Sequence, residues 1–168
     1  TLMGVTPESA VNEFTKIGVD GVGANCGQGI EGYIPICRRM RKITGLPIWI
    51  KPNAGLPEII DEKTIFYTTA DEFVKFVPDL IEAGADFIQT QCIYNMERFR
   101  EFIRVANEEG LTEKVYILAG VTPMKSVGMA RYMKGKVPGM DVPDEIIDRL
   151  KGVEKNKVAD EGIKIACE

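Results

Sequence analysis

The sequence predicts an α/β fold in which parallel βα units form part or half of an eight-stranded barrel. Short apolar runs alternate with longer segments of helical period along all 168 residues. Alternation of this kind implies a parallel sheet with right-handed crossovers. One strand-end motif also occurs twice, and each copy is followed by a helix, a second strand and another helix. We expect a single domain over residues 1–168, because no linker or low-complexity stretch interrupts the chain.

Four apolar runs have the length and composition of strands that are buried on both faces. They are residues 19–24, 47–51, 86–90 and 115–119. Trp49 lies in the middle of the second run and is expected to be a core residue. Four parallel strands are half of a TIM-type barrel, and they cannot close a barrel alone.

Helical segments precede, separate and follow these four runs. Thr69 to Glu72 read as a capping box, in which two side chains satisfy free backbone N–H groups at a helix start. Pro7 and Pro143 stand in the first turn of their helices, where a missing N–H costs nothing. Cys37 lies in a helix of apolar period and is expected in the core. The predicted helices are residues 6–17, 32–43, 70–83, 95–109, 125–133, 143–150 and 154–167.

Composition excludes several classes of function. The net charge of -4 argues against a nucleic-acid or acidic-membrane partner, since both usually require a basic face. No apolar run approaches the roughly 20 residues that span a bilayer, and the N-terminal residues do not resemble a signal peptide. We therefore expect a cytoplasmic protein without membrane or nucleic-acid partners. The chain has no histidine, which excludes histidine triads and histidine metal ligands.

The repeated motif places amide and thiol side chains at matching strand ends. Residues 18–26 and 84–92 both read Gly-x-Asp, four further residues, an amide side chain and a cysteine. In a parallel barrel the carboxyl ends of the strands surround one active-site mouth. A common helix-to-strand turn, or side chains that only cap strand ends, would be the simpler explanation. The candidates for a shared rim are Asn25, Cys26, Asn53, Gln91, Cys92 and Thr122, with the two asparagines as substrate-binding residues.

The first half of the chain contains three specific motifs: GVTPE at 4–8, VGANCG at 22–27 and KPNAGLP at 51–57. Over residues 1–88 it resembles the homocysteine S-methyltransferase family, including the homocysteine domain of cobalamin-dependent methionine synthase. In that family a zinc ion held by three cysteines binds homocysteine as the nucleophilic thiolate. The resemblance makes Cys26 the first zinc ligand and Cys92 one of an adjacent pair. Gln91 stands in the other position of that pair.

The second half contains GADFIQTQ at 84–91 and ILAGVTP at 117–123, with further matching positions as far as Ala166. Over about residues 84–168 it resembles methylenetetrahydrofolate reductase. Enzymes of that family pass hydride from a nicotinamide through FAD to the methylene group of a folate. The resemblance implies that Gln91 contacts the folate ring. It also implies that Tyr94 and Thr122 line the folate pocket.

Together the two resemblances imply an enzyme, or a fragment of one, from one-carbon metabolism. Residues 1–83 would be a methyltransferase-like half and residues 84–168 a reductase-like half, in the order found in enzymes that fuse both activities. Homocysteine or folate is the expected substrate, and zinc and FAD are the candidate cofactors. Neither cofactor site is complete, because a third zinc cysteine and the early flavin-binding strands have no counterpart here.

Two alternatives belong to another class: a catalytically inactive half-barrel scaffold, and an engineered or recombined fragment. An open half-barrel exposes the apolar inner face of its sheet, so the sequence also predicts a homo-oligomer. A dimer would complete eight strands.

Overall fold

The computed structural model describes residues 4–53, 58–60, 63–65, 68–137 and 140–168. Its main sheet has four parallel strands, which confirms the predicted fold class. A separate antiparallel pair follows the second of these strands, and the sequence pattern did not predict it. The strands are β1 Val22–Gly29, β2 Ile48–Asn53, β3 Glu58–Ile60, β4 Lys63–Ile65, β5 Phe87–Cys92 and β6 Tyr116–Gly120. The order in the main sheet is β1-β2-β5-β6, so β1 and β6 are its edges.

The helices precede and follow the strands as predicted, with one break. They are α1 Pro7–Lys16, α2 Ile30–Arg41, α3 Ala70–Lys75, α4 Val77–Glu82, α5 Met96–Glu108, α6 Val127–Lys136, α7 Asp144–Lys151 and α8 Val158–Cys167. The single helix predicted at 70–83 is divided into α3 and α4. Pro78, in the first turn of α4, has no N–H to donate, and its ring would crowd the Val74 carbonyl of a continuous helix.

The capping box at the start of α3 is confirmed. Thr69 Oγ1 accepts a hydrogen bond from the Glu72 backbone N–H at 3.2 Å, and Glu72 Oε2 accepts from the Thr69 backbone N–H at 2.8 Å. These two bonds satisfy backbone donors that a helix start leaves free. They fix the point at which the chain enters α3.

Two hydrophobic clusters hold the elements together. In the first, β1, β2 and β5 pack against the helices before β6, and Ile48, Ile50 and Leu80 are completely buried. Cys37 is also completely buried there, as predicted, and burial raises the pKa of its thiol to about 11. The second cluster joins α6, α7 and α8 to the segments that follow β5 and β6.

The face of the sheet opposite the first cluster is the one that would line a closed barrel. Trp49 lies on this face with 46% of its surface exposed, so the prediction that it is a core residue is wrong. Its register neighbour Phe87 stacks on Tyr116 with ring centroids 5.1 Å apart. The next row contains Asn25 and Lys51, which are paired in register. The inner face is therefore aromatic in one row and polar above it, not uniformly apolar.

The second Gly-x-Asp turn is tied to α2 by Arg41. Its guanidinium donates to Asp86 Oδ2 at 2.5 Å and to the Gly84 carbonyl at 2.8 Å. Asp86 Oδ2 also accepts from the Ile48 backbone N–H at 2.8 Å, which joins the turn to β2. Asp20, the equivalent residue of the first copy, makes no such bond in the part of the chain that the structure describes. The two copies of the motif are therefore similar in sequence but differ in the hydrogen bonds of their aspartates.

A two-point ion pair between α1 and α2 leads to a prediction about pH. Arg39 Nε and Nη2 donate to the two carboxylate oxygens of Glu8, each at 2.7 Å. These bonds lower the pKa of Glu8 from 4.5 to about 2. Because the folded-state pKa is lower than the unfolded one, the pair stabilises the fold above pH 4.5. That stabilisation is lost as the pH falls towards 2.

We expect Arg39→Gln to move the Glu8 pKa back towards 4.5, as measured by NMR titration of the carboxyl carbon. Arg38→Gln is the matched control, since Arg38 precedes Arg39 and forms no ion pair with Glu8. An unchanged Glu8 titration in Arg39→Gln would show that the ion pair does not cause the shift.

Candidate functional site

The residues predicted to form a rim lie in or just after the four strands of the parallel sheet. Cys26 is the fifth of the eight residues of β1, and Asn53 is the last residue of β2. Gln91 is the penultimate residue of β5, and Thr122 follows β6 by two positions. Asn53, Gln91 and Thr122 therefore stand at the carboxyl ends of the adjacent parallel strands β2, β5 and β6, whereas Cys26 lies within β1. Asn53, Gln91 and Thr122 thus lie at neighbouring strand ends, while the functional roles of all four residues remain predictions.

Two amide side chains meet between β2 and β5. Gln91 Nε2 donates to Asn53 Oδ1 at 3.4 Å, and both side chains are half-buried. A bond of this length is weak, so a ligand with better geometry could replace it. The amides leave donors and acceptors free for a polar ring edge.

A second group joins the ends of β5 and β6. Cys92 Sγ lies 3.0 Å from Thr122 Oγ1, and the Tyr94 hydroxyl donates to the Thr122 carbonyl at 3.0 Å. Tyr94 is buried, and burial raises its pKa, with a smaller contribution from the nearby Cys92. Tyr94 and Thr122 also line a cavity of about 490 Å³ between these strand ends and α5, α7 and α8. Its size and largely apolar lining suit a small-molecule ligand.

Thr90 links the ends of β5 and β6 beside Gln91 and Cys92, and it is not among the site residues predicted from the sequence. Its hydroxyl donates to the Gln91 carbonyl at 2.7 Å and accepts from the Gly120 backbone N–H at 2.9 Å. The register of β5 and β6 shifts at this point, between Gln89 and Cys92. A shift of this kind turns side chains at a strand end. Gly120 is required here because a Cβ would lie 2.8 Å from the Gln91 carbonyl oxygen.

Cys26 is held apart from this second group. It has a left-handed backbone with φ of 58°, and the Tyr33 hydroxyl donates to its carbonyl. Cys26 and Asn25 line a cavity of about 340 Å³ between β1, α1 and α2. Asn25 also lines a smaller cavity on the inner face of the sheet. Cys26 and Cys92 share no contact among the residues that the structure describes.

The described residues do not fit a zinc site. They bring together no group of three cysteine, aspartate or glutamate side chains that could hold a metal ion. The predicted ligand Cys92 is engaged with Thr122, and Cys26 lies two strands away. Thiolate chemistry at zinc would need ligands beyond those that the described part of the chain supplies.

Lys51 is the other residue that sequence reasoning passed over. It lies in β2 with its side chain on the inner face, between Asn25 and Gln89. The sequence alone could have indicated this residue, because Lys51 is the one charged residue in the sequences of the four parallel strands.

The part of the chain that contains Gln91 and Thr122 matches a known protein family. The family model described as methylenetetrahydrofolate reductase matches residues 54–168. The chain belongs to this family. The match begins at residue 54, earlier than the predicted start of the reductase-like half at residue 84, and residues 1–53 lie outside it. The resemblance of the first half to homocysteine S-methyltransferases is therefore not part of this match.

Two curated relatives carry the reductase name. The chain is 32% identical over 94 residues to methylenetetrahydrofolate reductase 2 of Schizosaccharomyces pombe, covering 54% of this chain and 14% of that protein. It is 29% identical over 73 residues to a Caenorhabditis elegans protein named "Probable methylenetetrahydrofolate reductase (NADPH)", covering 44% of this chain and 11% of that protein. The aligned parts are thus a small fraction of either relative.

The solved structures to which this chain is similar are distant from it in sequence. A protein described as a phosphonomutase from Burkholderia cenocepacia superposes with a TM-score of 0.48 at 12% identity, covering 68% of this chain and 49% of that one. An archaeal fructose 1,6-bisphosphate aldolase superposes with a TM-score of 0.43 at 19% identity, covering 97% of this chain and 62% of that one.

None of the described helices is both long enough and apolar enough to cross a membrane.

Proposed function

We propose that this chain forms the folate-binding part of a methylenetetrahydrofolate reductase active site, with Gln91 contacting the folate ring. The observation that supports this most directly is the position of Gln91. It stands at the carboxyl end of β5, inside the family match, and its amide is only weakly bonded to Asn53. An amide can donate and accept at once, as the edge of a pterin ring requires.

Tyr94 and Thr122 would form the next side of the folate pocket. Their mutual hydrogen bond fixes the segment after β6, and both line the 490 Å³ cavity. Phe99 and Ile165 add apolar surface to that cavity, against which an aromatic ring can pack. Asn53 would hold Gln91 in position until folate binds.

Reduction of the folate methylene group is proposed as the activity of the whole enzyme to which these residues belong. FAD would supply the hydride when bound. The contribution proposed for the chain's own residues is to bind and orient the folate. A catalytically inactive scaffold, or a recombined fragment, is the alternative.

Methyl transfer to homocysteine is the second chemistry implied by the first half of the chain. Its motif residues Asn25 and Cys26 lie within β1, and Asn53 is the last residue of β2. We keep zinc-dependent transfer as a minor proposal, because the described residues supply no third ligand. Self-association is proposed with either chemistry, since no further described strand pairs with β1 or β6 and a second copy could complete the barrel.

The experiment is a calorimetric titration of the whole chain with 5-formyltetrahydrofolate, a stable reduced folate. We expect Gln91→Ala to weaken binding about fivefold to tenfold, the effect of losing hydrogen bonds to a polar ring. Asn107→Ala is the matched control, since this amide is on α5, away from the strand ends.

Equal affinities of Gln91→Ala and the unmodified chain would show that Gln91 is not a folate contact. No folate binding at all would favour the inactive scaffold.

A further inference from the structure

We propose that Lys51, Asn25 and Gln89 form a binding site for a carboxylate group on the inner face of the sheet. This site is separate from the amide and hydroxyl groups assigned to the folate ring. The three side chains come from adjacent strands β2, β1 and β5, and they line one cavity of about 230 Å³. The proposal does not depend on which reaction the chain supports.

The register of the strands brings these side chains together. Asn25 is paired with Lys51 across β1 and β2. Ile50 is paired with Ile88, which places Gln89 beside Lys51 on the other side. The side chains of a strand alternate between its two faces, so all three point away from the first hydrophobic cluster. Gly23 has no side chain to fill the space beside Trp49, which leaves the cavity open.

The charge of Lys51 is not balanced by any carboxylate in the part of the chain that the structure describes. No aspartate or glutamate occurs in any of the four parallel strands. None of the described carboxylates forms an ion pair with Lys51, although many other lysines and arginines of the chain have one. Lys51 is also half-buried, so part of its hydration is lost. A bound anion would supply the missing counter-charge and replace the lost hydration of this ammonium group.

The neighbouring groups favour a carboxylate over a phosphate. One lysine supplies a single positive charge, which matches a monoanion and leaves a phosphate dianion undercompensated. The amides of Asn25 and Gln89 make no hydrogen bond elsewhere in the described residues, so their N–H groups can donate to the carboxylate oxygens. Trp49 provides an apolar surface for the carbon chain of the ligand.

The chain contains its own reporter for this site. Trp49 is the single tryptophan of the sequence and lines the cavity, so its fluorescence should change when a ligand binds. Two sources of carboxylate are separated by the choice of probe. Methionine presents the α-carboxylate of an amino acid, and N-acetylglutamate presents the carboxylates of a folate glutamyl tail. Methioninamide, which has no carboxylate, is the matched ligand control.

We expect at least one carboxylate probe to change the Trp49 fluorescence saturably, and methioninamide to have no such effect. Lys51→Met should weaken this binding about tenfold or more, because it removes a hydrogen bond to a charged group while keeping the apolar stem. Lys51→Arg should retain most of the affinity. Lys155→Met is the control for the change in net charge, since Lys155 is exposed in the turn before α8.

Three results would overturn the proposal: no saturable response to either probe, equal binding of methioninamide, or unchanged affinity in Lys51→Met. Circular dichroism of each variant checks folding, and Lys51→Arg keeps the test valid if Lys51→Met is poorly folded. Failure of folate binding in Gln91→Ala would leave this result unaffected, because Gln91 does not line the cavity.

Discussion

Gly162→Ala is expected to destabilise the protein by about 3 kcal/mol, at the upper end of the usual cost of overpacking. Gly162 is buried in α8, where a Cβ atom would lie 1.8 Å from the Met124 carbonyl oxygen and 2.7 Å from the carbonyl carbon. Those atoms are backbone, so no side-chain rotation can relieve the overlap. Either α8 or the segment after β6 must move. Urea unfolding, followed by circular dichroism, measures the loss.

Gly135→Ala is the matched control, because Gly135 is also a helical glycine but a Cβ there meets no atom within 4 Å. Alanine is the better helix former, so this variant should gain about 0.5–1 kcal/mol. Met124 follows Thr122 by two residues, so Gly162→Ala should also weaken binding in the neighbouring cavity. Equal stability of the two variants would show that α8 does not pack tightly on this segment.

The strands and most helices could be predicted because their signals are local. Apolar runs, Pro7 in a first turn and the capping box at Thr69 each act within a few residues, and all three are found. The divided helix at Pro78 was also readable, since a proline inside a helix removes a hydrogen bond. The apolar pattern alone, read without the proline, predicts one continuous helix there. The β3–β4 hairpin has no comparably strong turn signal.

The candidate site was predictable in its position but not in its contacts. Strand ends converge in any parallel sheet, so Asn53 and Gln91 could be placed on one edge. The hydrogen bonds of Thr90 depend on the register shift between β5 and β6, which no local pattern reveals. The left-handed backbone conformation of Cys26 could not be predicted either, because Cys26 is not a glycine.

Trp49 lies in a strand that was predicted correctly, but the burial of its side chain was predicted wrongly. Ile48, Trp49 and Ile50 form a continuous apolar run, which is typical of a strand covered on both sides. In the structure only the isoleucines pack against helices, and the indole lies on the inner face. Whether that face stays open depends on a partner, which the strand's own sequence cannot specify.

Substitutions of two adjacent residues in β2 test the helix-covered face and the inner face of the sheet independently. We expect Ile50→Ala to cost about 3 kcal/mol, because it leaves a cavity at a completely buried position of the first cluster. That loss should be the same at every protein concentration if it arises within one chain. Guanidinium unfolding at two concentrations measures it. A cost below about 1 kcal/mol would contradict the placement of Ile50.

Trp49→Ala should behave differently if a second copy completes the barrel. An indole that is 46% exposed in one chain would be buried by its partner, so its loss should weaken association as well as folding. We therefore expect light scattering to give twice the 18.6 kDa chain mass for the unmodified protein and a shift towards the single mass for Trp49→Ala. The stability of the unmodified protein should then rise with concentration, since unfolding and dissociation are linked. A monodisperse single chain, in which Trp49→Ala costs little, would instead mean that solvent covers the inner face.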